Sequence, residues 1–118
     1  MPNTKWKAFE ELVKKIYDIF LSDYEKNVKH DIKIKGKSGL EHQVDVFVEI
    51  FMPVLTIKDI IDCKHWNSKV KKSDVKEIYT TRDEVNANRA TIISRKGFQS
   101  GAIQFAKFNG FNLYKILK

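Results

Sequence analysis

The chain has 118 residues, 42% hydrophobic and 31% charged, with 22 Lys and Arg against 15 Asp and Glu, a net charge of +7 and a pI near 9.5. That length serves one core, so residues 1–118 are expected to form a single domain with no room for a separate recognition domain. No stretch approaches the ~18 apolar residues of a membrane span, the start MPNTKWKAFEELVKK has no apolar h-region, and the lone Cys63 excludes an internal disulfide or a cysteine-rich zinc site, so a cytoplasmic location is expected.

In chain order, Thr4 is a plausible N-cap for a first helix in which Trp6, Phe9, Leu12, Val13, Ile16, Tyr17 and Phe20 recur at helical spacing. VKHDIKI then alternates Val28, His30, Ile32 and Ile34 against Lys29, Asp31, Lys33 and Lys35, a half-buried strand that turns at GKSG. In HQVDVFVEIF, Val44, Val46, Val48 and Ile50 are expected on one face and Gln43, Asp45, Phe47 and Glu49 on the other. Pro53 ends that strand, and LTIKDIIDCKHW is the third. SDVKEIYTTRDEV opens on Ser73 as cap and repeats Val75, Ile78, Tyr79 and Val85 as a helix, ATIIS is a fourth strand, SGAIQFAKFNG a short helix and FNLYKIL a last strand. The order α-β-β-β-α-β-α-β implies an α/β fold with a mixed central sheet flanked by helices. The aromatics Phe98, Phe105, Phe108, Phe111 and Tyr114 read as core.

Two features ask for more than a fold. Lys26, Lys29, Lys33, Lys35 and Lys37 crowd one hairpin, which points either to a polyanion such as DNA or to a solvated strand edge. In IIDCKHW, Asp62 and Lys64 stand on one face of an otherwise apolar strand, where unpaired charges are costly, so they form either a mutual ion pair or a site. If the second and third strands are neighbours, Asp45 joins them. Two adjacent carboxylates repel by about 4 kcal/mol at ~4 Å and an effective dielectric near 20, so a cation between them is favoured, and an oxygen-only donor set suits Mg²⁺. His30, His42 and His65 have no ligand spacing.

HQVDV followed by IIDCKHW resembles the PD-(D/E)xK nuclease signature, and FEELV, GKSGLEHQVDV, IDCKHW and IISRKGFQSGAIQFAKFNGFNLYKI together resemble the Mrr-like restriction endonuclease catalytic domain over nearly the whole chain. The resemblance implies a restriction endonuclease-like fold with an α-β-β-β-α-β core. It also implies a metal site of Asp45, Asp62 and the Cys63 carbonyl, Lys64 as catalytic lysine, and Gln43 and Glu10 in or beside the site. Asp62 stands where most such domains carry Glu or Gln. Independently, at about 100° per residue Glu10 borders the apolar stripe of the first helix whereas Glu11 points away, although Glu10 as a solvated acid stays open. Lys35, Lys37, Ser38, Arg95, Lys96 and Gln99 lie in or beside loops and can reach phosphates or simply be solvated.

The expected function is a Mg²⁺-dependent DNA endonuclease, with Mn²⁺ as substitute. The alternatives are a structure-selective nuclease such as a Holliday-junction resolvase and a catalytically silent DNA-binding module of the same fold. DNA is the expected partner, two scissile strands suggest a homodimer, and no helix-turn-helix is present to read bases.

Overall fold

The elements follow in the expected order: α1 (Thr4–Phe20), β1 (Lys26–Lys35), β2 (Glu41–Phe51), β3 (Thr56–Lys64), α2 (Lys72–Glu84), β4 (Arg89–Ser94), α3 (Ser100–Phe108) and β5 (Asn112–Lys115). This computed structural model describes residues 4–116, apart from the side chains of residues 4–6, so the stripe position Trp6 lies outside the described side chains. α1 takes in Thr4 itself, and any cap before it lies outside the described residues.

The five strands lie side by side in chain order. β1, β2 and β3 are antiparallel, which short turns allow, and β3, β4 and β5 are parallel, with α2 and α3 making the crossovers. α2 and α3 cover one face, enclosing Ile60, Val75, Ile78, Ala90, Ile92, Ala102, Ala106 and Phe111. α1 covers the other with Phe9 and Val13 against Val46, Val48, Ile61, Cys63 and Ile93. β3 stops at Lys64, leaving Leu55 before it and His65 and Trp66 after it outside the strand, and Pro53 lies in the turn after β2.

Several expectations fail for physical reasons. The N-cap of α2 is Lys71, not Ser73, and its N–H is accepted by Asp74 Oδ2 at 2.8 Å, so an acid in the first turn does the capping. Phe108 is 89% exposed: α3 buries Ala102 and Ala106, and residue 108 points roughly 240° away from residue 102 at about 100° per residue. Tyr114 is exposed too, since β5 is the sheet edge and turns Leu113 to the core instead. On α1, Leu12, Ile16 and Phe20 are exposed although they belong to the predicted stripe. The apolar arc of that helix is wider than the face it lays on the sheet, and its open flank borders a groove of about 370 Å³ lined by Ile16, Tyr17, Phe20, Asp59, Arg89 and Tyr114 among others.

The most consequential departure concerns β2. Val46, Val48 and Ile50 pack on the α1 side, but Val44 packs with Phe47 on the α2/α3 side. β1 changes face at the same level, with Val28 on the α1 side and Ile32 and Ile34 on the other. The ladder runs down to His30↔Val46 and resumes at Ile32↔Val44, and between them Asp31 has φ 55, a left-handed backbone that aspartate tolerates better than most residues. Both strands thus slip phase at one level, where Asp31 lies across from Asp45.

Candidate active site

The phase slip opens the sheet. β2 pairs with β3 only from Val46↔Ile61 to Phe51↔Thr56, so the strands part at Asp45. The Asp45 carboxylate fills the fork: its Oδ2 accepts the Cys63 N–H at 2.8 Å, in place of a ladder carbonyl. A small cavity of about 30 Å³ lies there, lined by Gln43, Val44, Asp45, Ile60, Ile61, Asp62, Ile78 and Thr81.

Asp62 and Lys64 share a face of β3, as alternation requires, and Lys64 Nζ lies 2.9 Å from Asp62 Oδ2. Both side chains are largely shielded, so this is a part-buried ion pair at hydrogen-bond distance. The ammonium also sits 4.5 Å from the centroid of the Trp66 ring, an aromatic contact that holds it at the end of β3. Glu10 is 7% exposed whereas Glu11 is exposed, so the acid at the border of the helical stripe is the one turned inward. Phe9, beside it, packs its ring on His65 at 5.2 Å.

Burial and like charge act together on these carboxyls. Asp45 is pushed up to about 7, first by burial and then by the charge of Asp62, with the Cys63 N–H partly opposing; the charge of Glu10 adds to the rise. Asp62 is raised by burial, with Lys64 the main opposing influence. Such a pair holds excess proton affinity that a cation would relieve. Among the described residues, no three His, Cys, Asp or Glu side chains gather as a metal cage. Two mutually repelling buried carboxylates and the nearby Cys63 backbone still fit a hard ion such as Mg²⁺, which is held by one or two carboxylates and otherwise keeps water.

Of the sequence-predicted residues, Glu10, Asp45, Asp62, Cys63 and Lys64 come together. Gln43 lines the same cavity, but its amide donates to Asp31 Oδ1 at 2.6 Å. Arg95 stands at the same end of the sheet: its N–H is accepted by the Lys64 carbonyl, its guanidinium meets Asn67, and its buried Nε has no partner among the described residues. Lys96 and Gln99 are exposed on the loop that follows. Lys35, Lys37 and Ser38 are exposed at the β1–β2 turn, with the Ser38 hydroxyl donating to Glu84 of α2. Sequence reasoning missed Trp66 and Glu84. Trp66 was detectable, being two residues beyond Lys64 in extended chain, while Glu84 carries no local signal.

The restriction endonuclease family model, Mrr_cat, matches residues 1–116. No curated protein sequence matches the chain. Among solved structures, a protein of unknown function, AF1548, superposes with a TM-score of 0.69 at 16% identity, over 90% of this chain and 58% of that one. The MspJI restriction endonuclease, solved in complex with a 27-mer oligonucleotide, gives 0.61 at 16% identity over 93% of this chain and 25% of its own. The DNA modification-dependent restriction endonuclease AspBHI gives 0.59 at 12% identity over 92% and 27%. The chain therefore spans little more than half of the first of these and about a quarter of the other two, and it shares their fold. With the family model matched from end to end of the described sheet, the chain belongs to the restriction endonucleases, as an Mrr-type catalytic domain.

Proposed function

We propose that the chain is a Mg²⁺-dependent endonuclease that hydrolyses phosphodiester bonds of DNA. The observation that carries this reading is the meeting of two buried carboxyls and one lysine where β2 and β3 part, in a chain of this family. Asp45, Asp62 and the Cys63 carbonyl would hold the ion, whose chemistry when bound would be Lewis-acid activation of water and neutralisation of phosphate charge. Lys64, fixed by Asp62 and Trp66, places a positive charge where negative charge develops on the phosphate. Glu10 adds a third acid to the same field, and Gln43, held by Asp31, borders the cavity. Arg95, Lys96 and Gln99 grip backbone phosphates at the open end of the sheet, as Lys35 and Lys37 do at the β1–β2 turn.

A second copy of the chain supplies the second cut. The open flank of α1, with Ile19 75% and Phe20 80% exposed, lies beside the groove, and the charges in that groove, Asp59 and Arg89, pair with each other. Two chains of net charge +7 can thus meet there without opposing like charges. Sedimentation should show a dimer that Phe20→Glu dissociates, and a monomeric wild type would remove the proposal.

Plasmid nicking with and without EDTA tests the activity. Turnover should require Mg²⁺ or Mn²⁺ and fall by roughly a hundredfold or more in Asp45→Asn and Lys64→Met, both still folded. Full activity in either variant, or in EDTA, would overturn the site. Linear, methylated and branched substrates then separate restriction from junction resolution.

A further inference from the structure

We infer that Glu84, at the end of α2, is a positioning residue that sets how far β2 stands from β3 at the site; the inference rests on the nuclease reading only for its effect on turnover. Residues 41–45 of β2 keep β1 on one side, from Lys35↔Glu41 to Ile32↔Val44, but have no β3 partner on the other, where pairing begins at Val46↔Ile61. A strand segment missing one neighbour needs something else to hold it. Here Glu84, the last residue of α2, reaches the β1–β2 turn and His42 near the start of that segment.

The Glu84 carboxylate gathers three donors from the turn and the start of β2. Its Oε1 accepts the Ser38 hydroxyl and the Ser38 N–H, the latter at 3.3 Å, and lies 3.1 Å from His42 Nε2. The Glu84 carbonyl accepts the Lys37 N–H at 2.9 Å. The approach is close: a Cβ on Gly36 would stand 2.5 Å from Glu84 Oε1 and 3.0 Å from the His42 ring, so the carboxylate would have to move off its present donors. His42 and Glu84 are part-buried, with side-chain exposures of 19% and 18%, while Ser38 is exposed. These hydrogen bonds draw the carboxyl of Glu84 below its ordinary range, that of Ser38 foremost.

Within the two helical turns before Glu84, α2 supplies Thr81 and Ile78 to the cavity that Asp45 and Asp62 line. The strand that forms one wall of that cavity and the helix that forms another are therefore tied together by the Glu84 carboxylate, while Asp45, bonded to the Cys63 N–H, spans the fork. With the clamp released, residues 41–44 keep only their β1 pairing, and Asp45 is tied to β3 only by its own carboxylate and the adjoining Val46↔Ile61 pair, so its distance to β3 is less firmly set.

Two readouts test this, one of them independent of activity. In Glu84→Ala, exchange of the Cys63 amide, which Asp45 protects, should quicken by about tenfold or more relative to the Ile92 amide in the middle of the sheet. Cleavage by the same variant should show kcat lowered by about tenfold or more with KM within about twofold, since a misplaced carboxylate costs rate more than binding. Glu84→Gln, which keeps an acceptor of the same shape, should restore both. Should Glu84→Ala fail to fold, Gly36→Ala displaces the turn with Glu84 intact and should show the same pattern. Unchanged Cys63 protection in the folded variant would overturn the clamp, whatever its cleavage rate. Quickened exchange in a chain whose wild type cuts no DNA would sustain the clamp and sink the nuclease reading instead.

Discussion

Asp45 holds its proton up to about pH 7, because burial and the neighbouring Asp62 disfavour its charge. A metal competes with that proton, so at limiting Mg²⁺ the cleavage rate should climb from about pH 6 to about pH 8, and more Mg²⁺ should move the midpoint lower. Rate profiles at two metal concentrations check this, and a flat profile at limiting metal would count against Asp45 as a ligand. Asp59, on the α1 side, is likewise raised to about 6 by burial, partly opposed by Arg89 and by the Thr91 hydroxyl. Its folded value lies above its ordinary 3.8, so the native state binds the extra proton and stability falls as pH rises from about 4 to about 6. Asp59→Asn should therefore stabilise the protein by roughly 1–3 kcal/mol above pH 7 and give little gain near pH 4, which denaturation at the two pH values reads. Much of the site was legible residue by residue. The turn of α1 alone selected Glu10 over Glu11, and alternation placed Asp62 with Lys64, since both inferences need only local geometry. Ser38 defeats local reasoning because its partner, Glu84, is 46 residues away, and only the folded hairpin brings them together.

Among the elements, α2 depends on its first turn. The Asp74 carboxylate closes the cap by accepting the Lys71 N–H, and it also complements the positive end of the helix. Asp74→Ala should cost about 1 kcal/mol, seen as a melting point lower by roughly 3–5 °C, whereas Ser73→Ala should change little. A larger loss at Ser73 would show that the hydroxyl, not the carboxylate, caps the helix. The succession of helices and strands was readable from period and turn residues, because each element has its own apolar repeat. The opening of β2 was not. Residues 43–50 alternate without interruption in sequence, and nothing local reveals that the pleat changes phase between Val44 and Val46. The break arises across the ladder, where Asp31 adopts a left-handed backbone opposite Asp45. The same alternation thus predicted the correct neighbours for Asp62 and the wrong core for Val44.

At the scale of the whole molecule, the sheet grows in chain order and leaves β1 as one edge, carrying the exposed Lys29, Lys33 and Lys35. An edge so charged repels other strands and attracts polyanions. Binding to duplex DNA should therefore weaken steeply with salt, and Lys33→Glu with Lys35→Glu should flatten the logarithmic slope by about one for each phosphate that is no longer neutralised. A slope unchanged by the double substitution would leave the lysines as edge protection only. No helix among the described residues is long and apolar enough to cross a membrane. At the centre of this sheet, Cys63 is fully buried, and burial together with the charges of Asp45 and Asp62 drives its thiol far above the ordinary range. Thiolate is the form that alkylating reagents attack, so the folded chain should be inert to them. As the chain's single cysteine, it reacts only when β3 leaves its neighbours, and the rate of its modification then counts how often the molecule comes apart. Mg²⁺ drawn to the adjacent carboxylates should slow that rate, so the lifetime of the closed sheet can be timed with a thiol reagent and no DNA at all.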